Sequence, residues 1–161
     1  MLRRLAVGAV AVVALGGLAG CSGSSGSSSG TASTTTVPKH ESAWVKQWKP
    51  VLTNTYSPAQ QTFLTAIQGG LVADVQSAGQ KVVAANTALT AAITSAGPPP
   101  AADATASAKL VKGLSTELLL VNEVLRTCTS GTQECQAAVT AYGENNSKQI
   151  VPAFTGLGAM R

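Results

Sequence analysis

The strongest constraint on the fold is an apolar stripe of helical period in the middle of the sequence. Eight apolar residues follow one another at spacings of 4, 4, 3, 4, 3, 4 and 3: Ile67, Leu71, Val75, Ala78, Val82, Ala85, Leu89 and Ala92. Residues three and four apart share one face of an α-helix, so the stripe predicts a long amphipathic helix that ends before Gly97. Glycine in a helix interior costs about 1 kcal/mol relative to alanine, which favours a bend near Gly69-Gly70.

The segments before this stripe also read as helix. Residues 42 to about 56 place Trp44, Trp48 and Leu52 at spacings of four, and Pro50 predicts a kink or a split. The striped segment itself opens with Ser57-Pro58-Ala59-Gln60, which has the serine N-cap, the early proline and the glutamine of a helix start.

Two more helical segments follow the proline run at residues 98–100. The third, from about Ala102 to Thr127, carries its apolar face in Leu110, Leu114, Leu118, Val121, Leu125 and Cys128, widened by Leu119, Leu120 and Val124. The fourth starts at a predicted cap, Thr132, and runs through Cys135, Val139, Tyr142, Ile150 and Phe154, with Pro152 bending its end. No segment shows strand alternation or a hairpin turn. The sequence therefore predicts an all-α, four-helix-bundle-like domain over residues 39–161 with up-down-up-down topology.

Composition narrows the class of function. Charged residues are 11% of the chain, with 11 Lys plus Arg against 7 Asp plus Glu. Nucleic-acid binding needs clustered basic side chains, so no nucleic-acid partner is expected. The length of 161 residues excludes a multidomain enzyme.

The N-terminus has the pattern of an export signal. Arg3 and Arg4 precede an uncharged run at residues 5–20, which is shorter than the roughly 20 residues that cross a bilayer as a helix. The run ends in Leu18-Ala19-Gly20-Cys21, and in these residues the chain resembles the bacterial lipoproteins, in particular those of actinobacteria. The resemblance implies cleavage after residue 20 and acyl chains, such as palmitate, on Cys21. The alternative is a secreted protein cleaved near Ala19, with Cys21 a free thiol.

A tether follows the predicted lipidation site. Residues 22–38 are mostly Ser, Gly and Thr with no charged side chain, a composition that cannot bury enough apolar surface to fold. The Thr-rich, Pro-flanked end of this stretch looks like linkers that carry O-linked sugars, and an unmodified spacer fits equally well. The predicted organisation is signal peptide 1–20, lipidated Cys21 and linker to residue 38, and helical domain 39–161. The chain is then anchored by lipid to the outer face of the cell membrane.

Two cysteines remain besides Cys21. Cys128 and Cys135 flank the turn between the third and fourth segments, and an even pair in an exported domain is most simply a disulfide. A redox pair or a metal site is the alternative, but zinc needs more ligands and no C-x-x-C motif or nearby histidine is present.

The sequence offers little catalytic chemistry. His40, the single histidine, stands at the junction of linker and domain, so a Ser-His-Asp triad would have to be built on it. The acidic residues lack the spacing of a di-iron bundle. We expect no enzymatic activity and no cofactor, and we assign no catalytic, cofactor-binding or metal-ligating residue. The Asn145-Asn146-Ser147 match to a glycosylation sequon is expected to be chance.

Two groups of residues are candidates for binding. Trp44, Trp48 and Tyr56 form an aromatic face that is either core or the wall of a ligand site. Four polar residues flank the apolar stripes and either border a cavity or mark helix boundaries: Asp74, Asn86, Glu117 and Asn122. The predicted function is a non-enzymatic envelope lipoprotein whose domain contacts a protein or a wall component. The alternative is a carrier or sensor that holds an apolar small molecule within the bundle.

Overall fold

The computed structural model describes residues 41–129 and 133–160, and within these ranges it consists of helices and turns. Its elements are α1 (Ala43–Val51), a π-helix termed π1 (Leu52–Tyr56), α2 (Ser57–Gly69), α3 (Val72–Ser95), α4 (Ala104–Thr127), α5 (Gln133–Asn145), a second π-helix termed π2 (Asn146–Ile150) and α6 (Val151–Gly156). They form a four-helix-bundle-like domain, which confirms the predicted fold class. The predictions for the signal peptide, Cys21, the linker, His40 and Thr132 fall outside the described residues.

Two of the four bundle helices are composite. The α1, π1 and α2 elements follow one another without a break over residues 43–69, and we call this unit the N-terminal composite helix. Likewise α5, π2 and α6 run without a break over residues 133–156 as the C-terminal composite helix. The helices α3 and α4, of 24 residues each, lie between them in sequence and complete the bundle. Within the described ranges, no helix is both long and apolar enough to span a membrane.

Each π-helix is followed closely by a proline. Pro58 lies two residues after π1, and Pro152 lies two residues after π2. Proline lacks the N–H of a regular helical bond, and its ring collides with the carbonyl four residues earlier. Those carbonyls belong to Asn54 and Lys148, which are both inside the π segments. A wider turn moves the carbonyl away from the ring, which fits a π segment before each of these two prolines. Pro50, at which a kink or a split was predicted, instead lies inside α1 with no π segment before it.

The predicted boundary at Ser57 coincides with the start of α2, but the helix is neither capped nor interrupted there. Ser57 makes no side-chain cap, and the helix continues through it from π1 into α2. The break lies instead at Gly70, which adopts left-handed backbone angles (φ 67°, ψ 14°) and ends α2. Glycine takes this conformation without the steric cost of a Cβ atom, so the expected bend near Gly69-Gly70 is a full helix end.

The core is divided into two clusters along the bundle axis. One cluster gathers side chains from α1, the second half of α3, the first half of α4 and α6, with Trp48, Leu89, Leu110 and Phe154 at its centre. The other gathers α2, the first half of α3, the second half of α4 and α5, around Phe63, Val82, Val121 and Tyr142. This alternation of first and second halves is that of the predicted up-down-up-down arrangement. The space between the clusters is where the polar residues described below meet.

The cysteine pair closes one end of the bundle. Cys128 is the C-cap residue that follows α4, and Cys135 lies in the first turn of α5. Their sulfur atoms are 2.00 Å apart, at disulfide distance. Both side chains are buried beside Val121, Val124 and Val139. The pair therefore links α4 to the C-terminal composite helix across the short turn between them.

Candidate functional site

All four bundle helices contribute polar side chains to one layer at the middle of the domain. We call it the mid-bundle layer, and its members are Tyr56, Gln60, Asn86, Glu117, Tyr142 and Asn146. Its centre is Glu117 on α4, whose side chain is fully buried (0% exposed). Gln60 and Asn146 are partly exposed, so the layer extends from the bundle centre to its surface.

The Glu117 carboxyl group accepts hydrogen bonds from the three other bundle helices. The Tyr56 hydroxyl donates to both carboxyl oxygens, at 3.0 and 2.8 Å, and the Gln60 amide donates to Oε1. On the other sides, Asn86 Nδ2 donates to Oε2 at 2.7 Å and Asn146 Nδ2 donates to Oε1 at 3.3 Å. Every one of these neighbours donates, so the site is shaped for a group that accepts.

Gln60 joins Tyr142 to Glu117. Its amide nitrogen donates to Glu117, and its amide oxygen accepts a hydrogen bond from the Tyr142 hydroxyl. Tyr142 in turn packs edge-on against Phe63, with ring centroids 5.2 Å apart. The N-terminal and C-terminal composite helices are thus connected through one glutamine side chain.

Burial governs the electrostatics of the layer. Burial raises the pKa of Glu117, because the charged carboxylate loses its water, and the hydrogen bonds from Asn86, Tyr56, Gln60 and Asn146 oppose that rise. Burial also raises the pKa of Tyr56 and of Tyr142 well above the usual value, and the nearby Glu117 charge adds to both. The two phenols therefore stay protonated and serve as hydrogen-bond donors.

Backbone contacts fix the positions of the layer residues. Asn86 Nδ2 also donates to the carbonyl of Leu114, at 3.0 Å, which ties α3 to α4 one turn before Glu117. Asn145 Nδ2 donates to the carbonyl of Gly113 at 3.0 Å, which ties the C-terminal composite helix to α4 at the start of π2. Asn145 is only 7% exposed, so its amide is engaged in packing and is not presented as a sugar acceptor.

The two π-helices border the mid-bundle layer. Tyr56 is the last residue of π1, and Asn146 is the first residue of π2. A π turn holds one more residue than an α turn and so rotates the residues that follow it relative to those that precede it. Such turns occur often at functional sites, and here both lie beside the same carboxyl group.

The aromatic face predicted as core or ligand wall is closely packed. Trp48 is fully buried. The centroid of its ring lies 5.5 Å from that of Trp44 and 6.2 Å from that of Phe154. The Trp44 indole donates to the carbonyl of Gly97 at 2.9 Å. Tyr56 packs against Phe154 at 6.0 Å and points its hydroxyl at Glu117. The third aromatic residue therefore belongs to the mid-bundle layer as well as to the aromatic face.

The four polar residues that flank the stripes fall into two pairs. The structure brings Asn86 and Glu117 together in the buried layer. It leaves Asp74 and Asn122 exposed, and the Asn122 amide donates to the Leu118 carbonyl of its own helix. Leu119, expected to widen the apolar face of α4, is instead 73% exposed.

Sequence reasoning missed Gln60, Tyr142 and Asn146 as members of a site. A signal for the centre was present, since Leu110, Leu114, Glu117, Val121 and Val124 have spacings of 4, 3, 4 and 3 and place a carboxylate in the buried row. A signal for Asn146 was also present, since Cys135, Val139, Tyr142 and Asn146 have spacings of 4, 3 and 4 and continue the buried row of α5.

The layer can hold a charge or a proton, but it lacks the residues of a metal centre. In the part of the chain that the structure describes, no three His, Cys, Asp or Glu side chains cluster in a way that could hold a metal ion. The only carboxyl group in the layer is that of Glu117. Comparisons with protein-family models, with curated proteins and with solved structures found no match to this chain.

Proposed function

We propose that this chain is an exported bacterial lipoprotein, held by acyl chains on Cys21 at the outer face of the cell membrane, whose helical domain acts by surface contact with an envelope protein or a wall component. The location rests on the sequence pattern of Arg3 and Arg4, the apolar run 5–20 and the Leu18-Ala19-Gly20-Cys21 motif. Two or more acyl chains give stable membrane attachment, since each buried methylene contributes about 0.8 kcal/mol.

The observation that carries the surface role is the packing of the aromatic face. Trp44 and Trp48 would be the wall of an interior site for an apolar ligand, but Phe154 of the same chain lies against that wall. The Trp44 indole N–H is also engaged, by the Gly97 carbonyl. A carrier role would require α6 to move away and expose this surface. The filled interior favours a domain that acts through its outside.

The mid-bundle layer supports the same proposal. Glu117 is saturated by donors of its own chain and has no exposed surface. A general acid or base must come within hydrogen-bond reach of its substrate. The strongest acid-base candidate of the domain is therefore committed to contacts within the bundle.

Membrane attachment is tested with the full chain and its Cys21→Ser variant. After cell fractionation, we expect the unaltered chain in the membrane fraction and the variant in the soluble or secreted fraction. Mass spectrometry of the N-terminal peptide should find Cys21 as the first residue with acyl chains attached. Recovery of both proteins without acyl mass would contradict the anchor.

Surface and interior roles are separated by two measurements. Native mass spectrometry of residues 39–161, produced in an oxidising compartment, should give the protein mass alone if the interior is filled. A photo-cross-linking residue at the exposed position of Leu119 should form discrete adducts with an envelope protein or a wall fragment in intact cells. The same residue at the exposed position of Asn122 tests whether the contact surface extends to that position. An organic mass that is lost on denaturation, together with no adduct from either position, would favour the carrier.

A further inference from the structure

Glu117 is a buried carboxyl group without a cationic partner among the described residues. Three ion pairs of these residues have partly or largely exposed side chains and join Lys49 to Glu41, Arg126 to Glu123 and Lys148 to Glu144. The five hydrogen bonds that Glu117 receives come from a phenol and three carboxamides, which are all neutral. Buried charges are ordinarily paired with an opposite charge, bound to a metal or neutralised by a proton.

Among the described residues, the side chains hydrogen-bonded around Glu117 include no other group that changes charge near neutral pH. The N-terminal composite helix presents Tyr56 and Gln60 to it, and α3 presents Asn86. The C-terminal composite helix presents Asn146 directly and Tyr142 through Gln60. Both phenols have a pKa well above the usual value because they are buried. A change of charge in the layer between mildly acidic and neutral pH is therefore a change at Glu117.

The closed geometry limits what can neutralise this carboxylate. Its oxygens are already contacted from three helices, and the side chain has no exposed surface. A proton needs no additional volume, whereas a metal ion or an organic cation would have to displace several of the donors. We propose that the mid-bundle layer is a proton-binding site, that uptake of a proton by Glu117 tightens the bundle, and that its release loosens the contacts of π1 and π2 with α4.

The layer has the chemistry to accommodate both forms. The ionised carboxylate accepts all of the surrounding hydrogen bonds. The protonated carboxyl group exchanges one accepted bond for one that it donates, and the hydroxyl oxygen of Tyr56, which lies within hydrogen-bond distance of both carboxyl oxygens, can accept it once the hydroxyl hydrogen rotates away. The two forms therefore differ in the bonds that connect α4 with the π segments.

The direction of the effect follows from burial. The pKa of Glu117 is raised in the folded chain by loss of hydration. The stability that protonation adds is fully present below the unfolded pKa of a glutamate, about 4.3, and is lost as the pH rises through the higher folded pKa. The contribution of Glu117 to the free energy of unfolding should accordingly be larger in mildly acidic than in neutral solution.

Denaturant unfolding of the purified full chain between pH 4 and pH 8 tests the proposal. Within the window between the two pKa values, the unfolding equilibrium constant should rise by up to tenfold per pH unit. The Glu117→Gln variant should lose this slope, and Glu144→Gln, at an exposed carboxyl group, should keep it. Taking the difference between variants cancels the contributions of all other titrating groups.

A direct titration covers the case in which Glu117→Gln does not fold. The carboxyl carbon of Glu117 is followed by NMR in the unaltered chain, and its midpoint should lie above 4.3. Protection of backbone amides in residues 52–60 and 142–150 should fall as this group ionises. A midpoint at or below 4.3, or an equal pH slope in the Glu117→Gln variant, would overturn the proposal, because the four donors would then outweigh burial.

Discussion

Substitution of Gly113 by alanine tests how closely α4 and the C-terminal composite helix approach each other. A Cβ atom at Gly113 would lie 2.9 Å from Ile150 Cγ1 and 3.3 Å from Gln149 Cβ. Carbon atoms pack best at about 3.5–4.0 Å, so π2 must move outward or Ile150 must change its rotamer. Either change also disturbs the hydrogen bond that the Asn145 amide donates to the Gly113 carbonyl. The loss of stability therefore arises where π2 begins and where the Asn146 amide donates to Glu117.

The same substitution at Gly143 is a matched control. A Cβ atom at Gly143, in α5, meets nothing within 4 Å. Replacement of a helical glycine by alanine favours folding by about 1 kcal/mol at either position. Overpacking at Gly113 opposes this gain with about 1–3 kcal/mol. We expect Gly143→Ala to raise the free energy of unfolding by about 0.5–1 kcal/mol, and Gly113→Ala to lie about 1–3 kcal/mol below that control.

Urea or guanidinium unfolding followed by circular dichroism measures both variants against the unaltered protein. Because the helix-propensity gain is common to the two variants, the difference between their midpoints isolates the contact of α4 with π2. If Gly113→Ala is stabilised as much as Gly143→Ala, then the close approach at Ile150 does not constrain the bundle and the reasoning is wrong.

Three further predictions concern the rest of the domain. Replacement of both Cys128 and Cys135 by serine should lower the free energy of unfolding by about 2–3 kcal/mol, because a closed loop of about eight residues restricts the unfolded chain; an unaltered denaturation midpoint would contradict this. Leu89→Ala, in the fully buried centre of one core cluster, should cost about 2–5 kcal/mol in the same assay, and a loss below 1 kcal/mol would mean that the cluster can collapse around the cavity. Trp44→Phe removes the hydrogen-bond donor to the Gly97 carbonyl and should lower the free energy of unfolding by about 1–3 kcal/mol. Leu119→Ser, at an exposed position, should change it by no more than about 0.5 kcal/mol. Equal effects of the two substitutions would show that the Trp44 hydrogen bond contributes no stability.

The fold class was readable from the sequence because its signal is local. The stripe from Val75 to Leu89 places its residues on one helix face, and these side chains are buried in the structure. The end at Gly70 was visible only as a weak point, since glycine is tolerated within helices as well as after them. The cap assigned to Ser57 is absent, because the same residues also fit a helix that continues from π1 into α2.

The contacts within the mid-bundle layer could not be predicted from local sequence patterns. A polar residue in an apolar row, such as Asn86 or Glu117, can be noticed in a sequence. Which donors reach it depends on the distance between helices and on their rotation, and both are set by contacts such as Ile150 against Gly113. Gln60 and Tyr142 are 82 positions apart, and no periodicity connects them.

By itself, the sequence determined that the chain forms helices with apolar faces, and it carries the N-terminal motif from which we infer the anchor. Both depend on residue types at fixed short spacings along the chain. Only the tertiary structure decided that the first bundle helix runs through Ser57 to Gly69, that Trp44 and Trp48 pack as core, and that Glu117 is enclosed by donors from three other helices. These features arise from the packing of distant segments, whose free energy depends on which side chains meet and not on their order in the chain.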